Sequence, residues 1–312
     1  MTLPVLRTAD AWWLRRDDGA VRVDTAATTT AELLADRAAV LAARDADDPV
    51  DPSTLALVSP VTTPCRVVAQ MANYVSHAKD AGMDPGSVPL TFFRKASGSV
   101  SGPFDDVVRP AHVRLLDHEV ELGLVLGREV PVGTTVTPAD LRDLVAGLVV
   151  TNDVSARDLQ LPKTQFYESK SYPTFTPCGP VLLLLEDDEV DRIPDLRLRL
   201  WVNGELRQDR TAADMIFAPA EALAALARFQ HLDAGDLVLT GTPVGTALSA
   251  PPKPIEVIGS LLPPAVKWRV FLGKQEKNPR YLQDGDLMEL SIATDDGALD
   301  LGAQRTTVRW TR

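Results

Sequence analysis

The sequence predicts a β-rich α+β fold rather than a doubly wound α/β fold. Apolar and polar residues alternate over several short runs, as is typical of half-buried strands. The clearest run, Leu196 to Val202, is followed by Asn203-Gly204, and this pair predicts a tight hairpin turn. One clear helix, starting near Pro219, lies among the later strand signals and carries Leu223, Leu226 and Phe229 on one apolar side. Crossover helices are therefore too few for a parallel sheet covered on both faces.

The N-terminal residues predict a hairpin followed by a helix. Residues 11–24 contain two short strand signals separated by Asp18-Gly19, a favoured turn pair. Thr29-Thr30 then offers an N-cap for an Ala- and Leu-rich helix that extends to about Arg44.

A change in composition predicts a domain boundary near residue 60. The segment from Asp45 to Pro64 is rich in Asp and Pro, as linkers often are. We therefore expect residues 1–60 to form a small N-terminal α/β domain and linker, and residues 61–312 to form the main domain.

Composition and charge exclude several classes of function. A net charge of −11 argues against nucleic acid, which requires a basic surface, and against an anionic membrane surface. No apolar run approaches the roughly 20 residues that cross a bilayer. No secretion signal is visible at the start, and two cysteines, Cys65 and Cys178, do not suggest a disulfide scaffold. We expect a cytoplasmic protein with no membrane or nucleic-acid partner.

The run LLDHEVELGLVLGREV, from Leu115 to Val130, carries the first candidate site. In a strand, its apolar residues would face the core, namely Val120, Leu122, Leu124 and Leu126. Glu119 and Glu121 would share the other face, where Gly123 leaves room beside them. Two such carboxylates repel unless a cation lies between them, and Mg²⁺ prefers oxygen ligands of this kind. A solvated strand face is the alternative interpretation.

A third carboxylate, Asp153, follows the apolar strand Val145 to Val150. Functional loops commonly begin where a strand ends. If a helical turn follows, Arg157 and Gln160 lie on the same face as Asp153, an arrangement suited to recognising a metal-bound oxyanion. The alternative is an N-cap aspartate with a surface salt bridge.

Several motifs occur together in the order seen in one known family. The segments NDVSARDLQ, the E-x-E strand, SKSYPTFTPCGP and GDLVLTGTPVG resemble the fumarylacetoacetate hydrolase family in order and spacing, as does NYVSHAKD at residues 73–80. The resemblance covers residues 65–247 closely and has a weaker tail from Gly285. It implies a mixed β-sheet roll that assembles as a homodimer.

The resemblance also implies roles for individual residues. Glu119, Glu121 and Asp153 match the family's metal ligands, with Mg²⁺ expected and Mn²⁺ or Ca²⁺ possible. Lys170 matches the active-site lysine, whose charge would stabilise negative charge on a substrate oxygen. The positions that match the surroundings of the substrate are Lys95, Arg157, Gln160 and Thr242. Lys95 lacks the proline that often follows it in the family.

His77 is the candidate general base, because imidazole is well matched to proton transfer near neutral pH. We expect it in a short helix, where Asp80 at i+3 could orient its ring. The tail LMELSIATDDGALDLG resembles the branch of the family that contains fumarylacetoacetate hydrolase itself. In that branch, the glutamate matching Glu289 orients the histidine instead.

The resemblance implies a metal-dependent hydrolase that cleaves a C–C bond in a 1,3-dicarbonyl or acylpyruvate-type substrate. His77 would activate water, and the metal and Lys170 would stabilise an enolate leaving group. The alternative is an oxaloacetate-type decarboxylase, tautomerase or hydratase using the same site. A purely structural cation is disfavoured, because it would need neither His77 nor Lys170.

A long segment, Ala247 to Asp284, separates GTPVG from the final Gly-Asp strand, which many family members reach within about a dozen residues. Its apolar and aromatic content argues against a fully exposed loop. We expect it to pack near the mouth of the pocket or across a dimer contact. A hairpin at a remote sheet edge is the alternative.

Overall fold

The computed structural model describes residues 2–164, 166–186, 188–248 and 262–311. Within these residues, two mixed sheets of nine and five strands pack against each other, and helices lie beside the sheets. The strands are β1 (Leu3–Arg7), β2 (Trp12–Arg16), β3 (Gly19–Arg22), β4 (Val67–Gln70), β5 (Phe92–Lys95), β6 (Val100–Ser101), β7 (Val107–Arg109), β8 (Leu116–Asp117), β9 (Val120–Leu126), β10 (Val145–Asn152), β11 (Ser155–Ala156), β12 (Thr176–Pro177), β13 (Leu182–Leu184), β14 (Leu196–Val202), β15 (Glu205–Thr211), β16 (Leu237–Leu239), β17 (Leu287–Thr294) and β18 (Asp300–Trp310). The helices are α1 (Thr30–Ala35), α2 (Arg37–Ala42), α3 (Val75–Asp80), α4 (Leu141–Leu144), α5 (Arg157–Lys163), α6 (Phe166–Lys170), α7 (Pro219–Leu226) and α8 (Pro264–Gln275).

The strand order explains how distant segments meet. The nine-stranded sheet has the order β3-β2-β1-β13-β10-β9-β16-β4-β5, and the five-stranded sheet has the order β15-β14-β17-β18-β7. Two short pairs, β11-β8 and β12-β6, lie beside them. The predicted β-rich α+β fold is confirmed.

Strand alternation in β9 divides its side chains between two cores. Leu122 and Leu124 pack between the two sheets, against residues such as Leu198 of β14. Val125 lies on the opposite face, in a second core that includes Leu33 of α1. The predicted alternation of this strand is therefore confirmed, and it places Glu121 on the face opposite the main core.

The predicted N-terminal hairpin is confirmed as β2 and β3, but the predicted helix is interrupted. Thr29 caps α1 by accepting a hydrogen bond from the Glu32 N–H, and the chain then breaks at Asp36 before α2 begins. Strand β1 pairs with β13, so β1 to β3 extend the nine-stranded sheet instead of forming one of their own. The domain boundary near residue 60 stays a prediction.

Two further local predictions have different outcomes. The β14–β15 hairpin is confirmed, and its turn residues Asn203 and Gly204 have φ values of 51° and 78°, which suit this tight turn. Helix α7 begins at Pro219 as predicted, but Phe229 lies beyond its end and is 64% exposed, so its predicted place on the apolar face is wrong. Among the described residues, no helix has the length and apolar content needed to cross a membrane.

Candidate functional site

Two neighbouring strands bring the predicted metal ligands together. Glu119 comes directly before β9, and Asp153 comes directly after β10. Because these strands are antiparallel, the two residues lie opposite each other, and the Asp153 N–H donates to the Glu119 carbonyl at 2.8 Å. Carboxylate oxygens of Glu119, Glu121 and Asp153 lie within 4.8 Å of one another, and all three residues are buried.

The chemistry of this acidic triad fits a hard divalent cation. All three donors are carboxylate oxygens, which Mg²⁺ and Mn²⁺ accept readily. Burial, followed by the charges of Asp153 and Glu119, raises the pKa of Glu121 well above its usual range. Glu121 is therefore the carboxylate whose ionised form most needs a cation. Gly123 does not leave open space here, since a Cβ at that position would lie 2.7 Å from Val149 Cγ1.

Two buried lysines lie against the acidic triad. Lys170 Nζ donates to Glu119 Oε2 at 2.7 Å and to Asp153 Oδ2 at 2.5 Å. Burial alone would lower the Lys170 pKa, but Asp153 and Glu119 outweigh it and raise the pKa, so the side chain is an ammonium at neutral pH. Lys95, at the end of β5, donates to the other Asp153 oxygen and to the Phe175 carbonyl, the latter at 2.9 Å. The structure thus brings Lys95 into the site even though no proline follows it.

Arg157 joins the cluster through Glu119 instead of Asp153. Its Nη2 donates to Glu119 Oε1, and its Nη1 donates to Gln160 Oε1 at 2.8 Å. The proposed helical relation to Asp153 is wrong, because α5 begins only at Arg157 and Asp153 lies before it. Arg157 and Gln160 are nevertheless buried together near the triad, as predicted.

Arg157 also has a partner that the sequence analysis missed. Its Nε donates to Asp117 Oδ2 at 2.8 Å, and Asp117 is fully buried. Asp117, Glu119 and Glu121 are spaced by two along the chain, which is the period of a strand face. That spacing was the signal that could have identified Asp117.

Thr242 and its neighbour hold β9 in place. The Thr242 hydroxyl donates to the Val120 carbonyl at 2.9 Å and accepts from Gln208 Nε2 at 2.9 Å. The adjacent Gly241 N–H donates to Glu121 Oε2 at 2.7 Å. Contact between Thr242 and substrate stays a prediction, because its observed partners belong to the protein.

Gly241→Ala should weaken both folding and metal binding. Gly241 has a φ of 84°, and an added Cβ would lie 2.8 Å from the Asn73 Cβ. The strained backbone and this overlap should lower stability by about 1–3 kcal/mol, and displacement of the N–H would loosen Glu121. Thermal melts and Mn²⁺ titration would measure the two effects. Gly98→Ala, where a Cβ meets nothing within 4 Å, is the matched control; equal results for the two variants would contradict this role.

His77 lies in α3, confirming the predicted short helix. It is half-buried, and its Nδ1 has no hydrogen-bond partner among the described residues. Burial lowers the His77 pKa, and Arg157 and Lys170 lower it further, whereas Glu119 and Asp80 oppose the shift. The effect of Glu119, Arg157 and Lys170 on the His77 pKa indicates that the ring lies near the cluster. Because this pKa is lowered, the ring is neutral at pH 7.

Neither carboxylate suggested as an orienting partner is hydrogen-bonded to His77 among the described residues. Asp80 ends the same helix. Glu289 lies on β17 between the buried Met288 and Leu290, so it points away from the core, and its side chain is 42% exposed. Its Oε1 is 3.7 Å from Arg305 Nε. The structure does not bring Glu289 to His77, and the orienting role of either carboxylate stays a prediction.

The long segment before β17 is partly visible. Residues 249–261 lie outside the described part of the chain, and the rest contains α8. Leu272 of α8 packs with Leu115, Ala247 and Tyr281 in a small apolar cluster. This cluster adjoins Asp117, which supports the predicted position near the site; a dimer contact stays a prediction.

Comparisons with known proteins agree with this geometry. A family model described as fumarylacetoacetate (FAA) hydrolase C-terminal matches residues 66–309. A human relative named oxaloacetate tautomerase FAHD2A, mitochondrial, is 36% identical over 202 residues, which are 64% of this chain and 62% of that protein. This match thus spans less than two thirds of the relative's length.

Solved structures resemble the whole chain. A probable 2-hydroxyhepta-2,4-diene-1,7-dioate isomerase from Mycobacterium abscessus has a TM-score of 0.74 at 29% identity and covers 100% of both chains. A fumarylacetoacetate hydrolase from Exiguobacterium antarcticum has a TM-score of 0.71 at 26% identity, covering 99% of this chain and 100% of that one.

Two predictions are not settled by these relatives. The human relative is mitochondrial by name, so the cytoplasmic location stays a prediction, as does the homodimer. The chain belongs to the fumarylacetoacetate hydrolase family, and its buried acidic triad could hold a divalent metal.

Proposed function

We propose that this enzyme catalyses keto–enol tautomerisation of a 2-oxo acid such as oxaloacetate. The observation that carries the proposal is His77, a neutral imidazole beside the triad with no carboxylate bound to its Nδ1 among the described residues. Proton transfer to and from carbon needs an unprotonated base, and a neutral imidazole is one. Activation of water for hydrolysis would benefit further from an orienting carboxylate, as in catalytic triads. The human relative named oxaloacetate tautomerase also supports this choice.

Each residue of the site would have a separate role in this reaction. A divalent cation held by Glu119, Glu121 and Asp153 would supply Lewis-acid polarisation of the substrate's oxygens. In the keto-to-enol direction, His77 would take a proton from the carbon between the two carbonyl groups. The protonated His77 would then return a proton, directly or through solvent, to the carbonyl oxygen and so become neutral again. The ammonium of Lys170 would offset negative charge on that oxygen while the proton moves. No atoms are lost or added in this reaction.

The charge of the cluster suits an anionic substrate. Within the cluster, the buried charged groups are four carboxylates and three cations, namely Asp117, Glu119, Glu121, Asp153, Lys95, Lys170 and Arg157. With every group ionised, the cluster carries one more negative charge than positive. A divalent cation would reverse this balance to one net positive charge, which favours an oxo acid over a neutral ketone.

Hydrolytic C–C cleavage, predicted from the sequence, is the second candidate. The same neutral His77 nitrogen could deprotonate water, and the Lys170 ammonium could stabilise an enolate leaving group. The two candidates differ in their products, because only hydrolysis consumes water and releases a carboxylic acid.

A substrate panel separates these functions. Oxaloacetate, an acylpyruvate and a cyclic 1,3-diketone would be incubated with Mg²⁺, with Mn²⁺ or with excess chelator. We expect the metal-loaded protein to accelerate the enol–keto interconversion of oxaloacetate, which is monitored by its ultraviolet absorbance. We expect no increase in the release of pyruvate or CO₂. Faster release of a carboxylic acid from the acylpyruvate would replace the tautomerase proposal with the hydrolase. Metal-dependent release of CO₂ from oxaloacetate would replace it with a decarboxylase.

A further inference from the structure

Asp117 contacts both the candidate site and the long segment that follows Gly245. One of its oxygens, Oδ2, accepts from Arg157 Nε at 2.8 Å. The other, Oδ1, accepts from the backbone N–H of Ala247 at 2.8 Å and from that of His118 at 2.9 Å. The Leu248 N–H adds a longer bond of 3.3 Å to Oδ2. The carboxylate is thus saturated by protein donors in a buried setting.

The far end of the long segment returns to the same place. Asn278 Nδ2 donates to the Ala247 carbonyl at 3.0 Å, and Arg280 Nη2 donates to the Gly245 carbonyl at 2.7 Å. The Leu282 N–H donates to the Leu116 carbonyl at 2.9 Å. Both ends of the segment are therefore tied around β8, whose second residue is Asp117.

Apolar packing adds to these hydrogen bonds. Leu272 of α8 and Tyr281 are buried against Leu115 and Ala247, with Phe271 packed beside them. This contact docks the C-terminal half of α8 over the strand that carries Asp117. Movement of the segment would consequently move the N–H groups that hold the Asp117 carboxylate.

We propose that Asp117 is a positioning residue that sets the orientation of Arg157 and couples it to the two described ends of the long segment, residues 245–248 and 272–282. An ion pair at Nε fixes the plane of a guanidinium, and both Nη atoms of Arg157 keep further donors for a ligand. Partners that orient a residue contacting the ligand commonly control affinity without touching the ligand. The inference rests on the proposed function only in taking Arg157 to face the substrate.

Asp117→Asn tests the inference, with Asp158→Asn as the matched control. Asp158 is also buried and accepts from the N–H groups of Arg114 and Leu115, at 3.1 and 3.2 Å. Its carboxylate lies 3.5 Å from Arg114 Nε and forms no ion pair with the Arg157 side chain. Oxalate, a planar dianion that chelates metals, is titrated into each Mn²⁺-loaded protein. We expect Asp117→Asn to weaken oxalate binding at least tenfold and to raise KM more than it lowers kcat. Mn²⁺ affinity should stay within about threefold, and Asp158→Asn should leave both affinities unchanged.

A double-mutant cycle shows whether Asp117 acts through Arg157. In an Arg157→Lys background, Asp117→Asn should weaken oxalate binding by less than twofold further. Asn278→Ala removes the hydrogen bond to the Ala247 carbonyl and so loosens the segment without changing Asp117. It should weaken oxalate binding, as Asp117→Asn does. It also serves as the deciding variant if Asp117→Asn does not fold.

Three outcomes would overturn the inference. The first is an unchanged oxalate affinity in Asp117→Asn, or in Asn278→Ala if Asp117→Asn does not fold. The second is an equal loss of oxalate affinity in Asp117→Asn and Asp158→Asn. The third is full additivity of the affinity losses caused by Asp117→Asn and Arg157→Lys. Oxalate binding does not require turnover. A parent protein that binds oxalate but converts no substrate of the panel would therefore contradict the proposed function and leave this test decisive.

Discussion

Glu121→Gln should abolish activity without destabilising the metal-free protein. Among the described residues, Glu121 accepts one hydrogen bond, from the Gly241 N–H, and a glutamine oxygen can accept it as well. The substitution puts a neutral amide of similar shape in place of a buried carboxyl whose ionised form is disfavoured by burial and by the charges of Asp153 and Glu119. The Tm without metal should stay equal or rise. Mn²⁺ affinity should fall by more than the loss of about 10–100-fold that is typical when a hydrogen-bond partner of a metal ligand is mutated, because Glu121 would itself be a ligand.

Asp153→Ala is the informative contrast. Asp153 pairs with both Lys95 and Lys170, so its removal leaves two buried ammonium groups without this partner. Breaking a buried ion pair in this way should lower stability by about 3–5 kcal/mol. Calorimetric melts in chelator and Mn²⁺ titrations would distinguish the variants. Full activity of Glu121→Gln in excess chelator would exclude the triad as the metal site.

His77→Ala should lower kcat by about 10²–10⁴-fold, the range expected for loss of a general base. Mn²⁺ affinity should not change, because His77 is not one of the three ligands. His231→Ala is a suitable control, since His231 is a surface residue bonded to Asp233 at 2.9 Å. Undiminished turnover by His77→Ala would exclude His77 as the base.

The pH profile offers a second test of the same residue. Burial lowers the His77 pKa below its ordinary value of 6.5, and Arg157 and Lys170 lower it further against the opposing charges of Glu119 and Asp80. A base with a lowered pKa is active when unprotonated, so kcat should stay level near neutrality and fall only below pH 6.5. A decrease in kcat that begins above pH 7 as the pH is lowered would contradict the assignment. So would the same decrease in kcat in the His77→Ala variant.

Asp80→Ala and Glu289→Ala determine whether a carboxylate assists His77. The observed geometry predicts a small effect for both, because neither carboxylate bonds to the ring. A kcat loss of more than about tenfold in Glu289→Ala alone would support the hydrolase arrangement implied by the tail of the sequence. The same loss in Asp80→Ala alone would support orientation within α3.

Local pattern was sufficient for much of the fold. The period of two in β9 separates Glu119 and Glu121 from the leucines, because alternate side chains of a strand must point to opposite faces. The Asn203-Gly204 turn and the Pro219 helix start are likewise set by the backbone preferences of those residues. These features depend on neighbours along the chain, so the sequence by itself determined them.

Contacts between distant segments were decided only by the tertiary structure. Asp153 meets Glu119 through the β9–β10 ladder. Arg157 reaches the triad through Glu119 and not through a helical turn from Asp153, and Glu289 faces away from His77. Asp117 links Arg157 to Ala247, which lies 130 residues after Asp117 in the chain. Such pairings depend on strand order and on which buried charges neutralise one another. Periodicity determines the face on which a side chain lies, but not the segment that packs against that face.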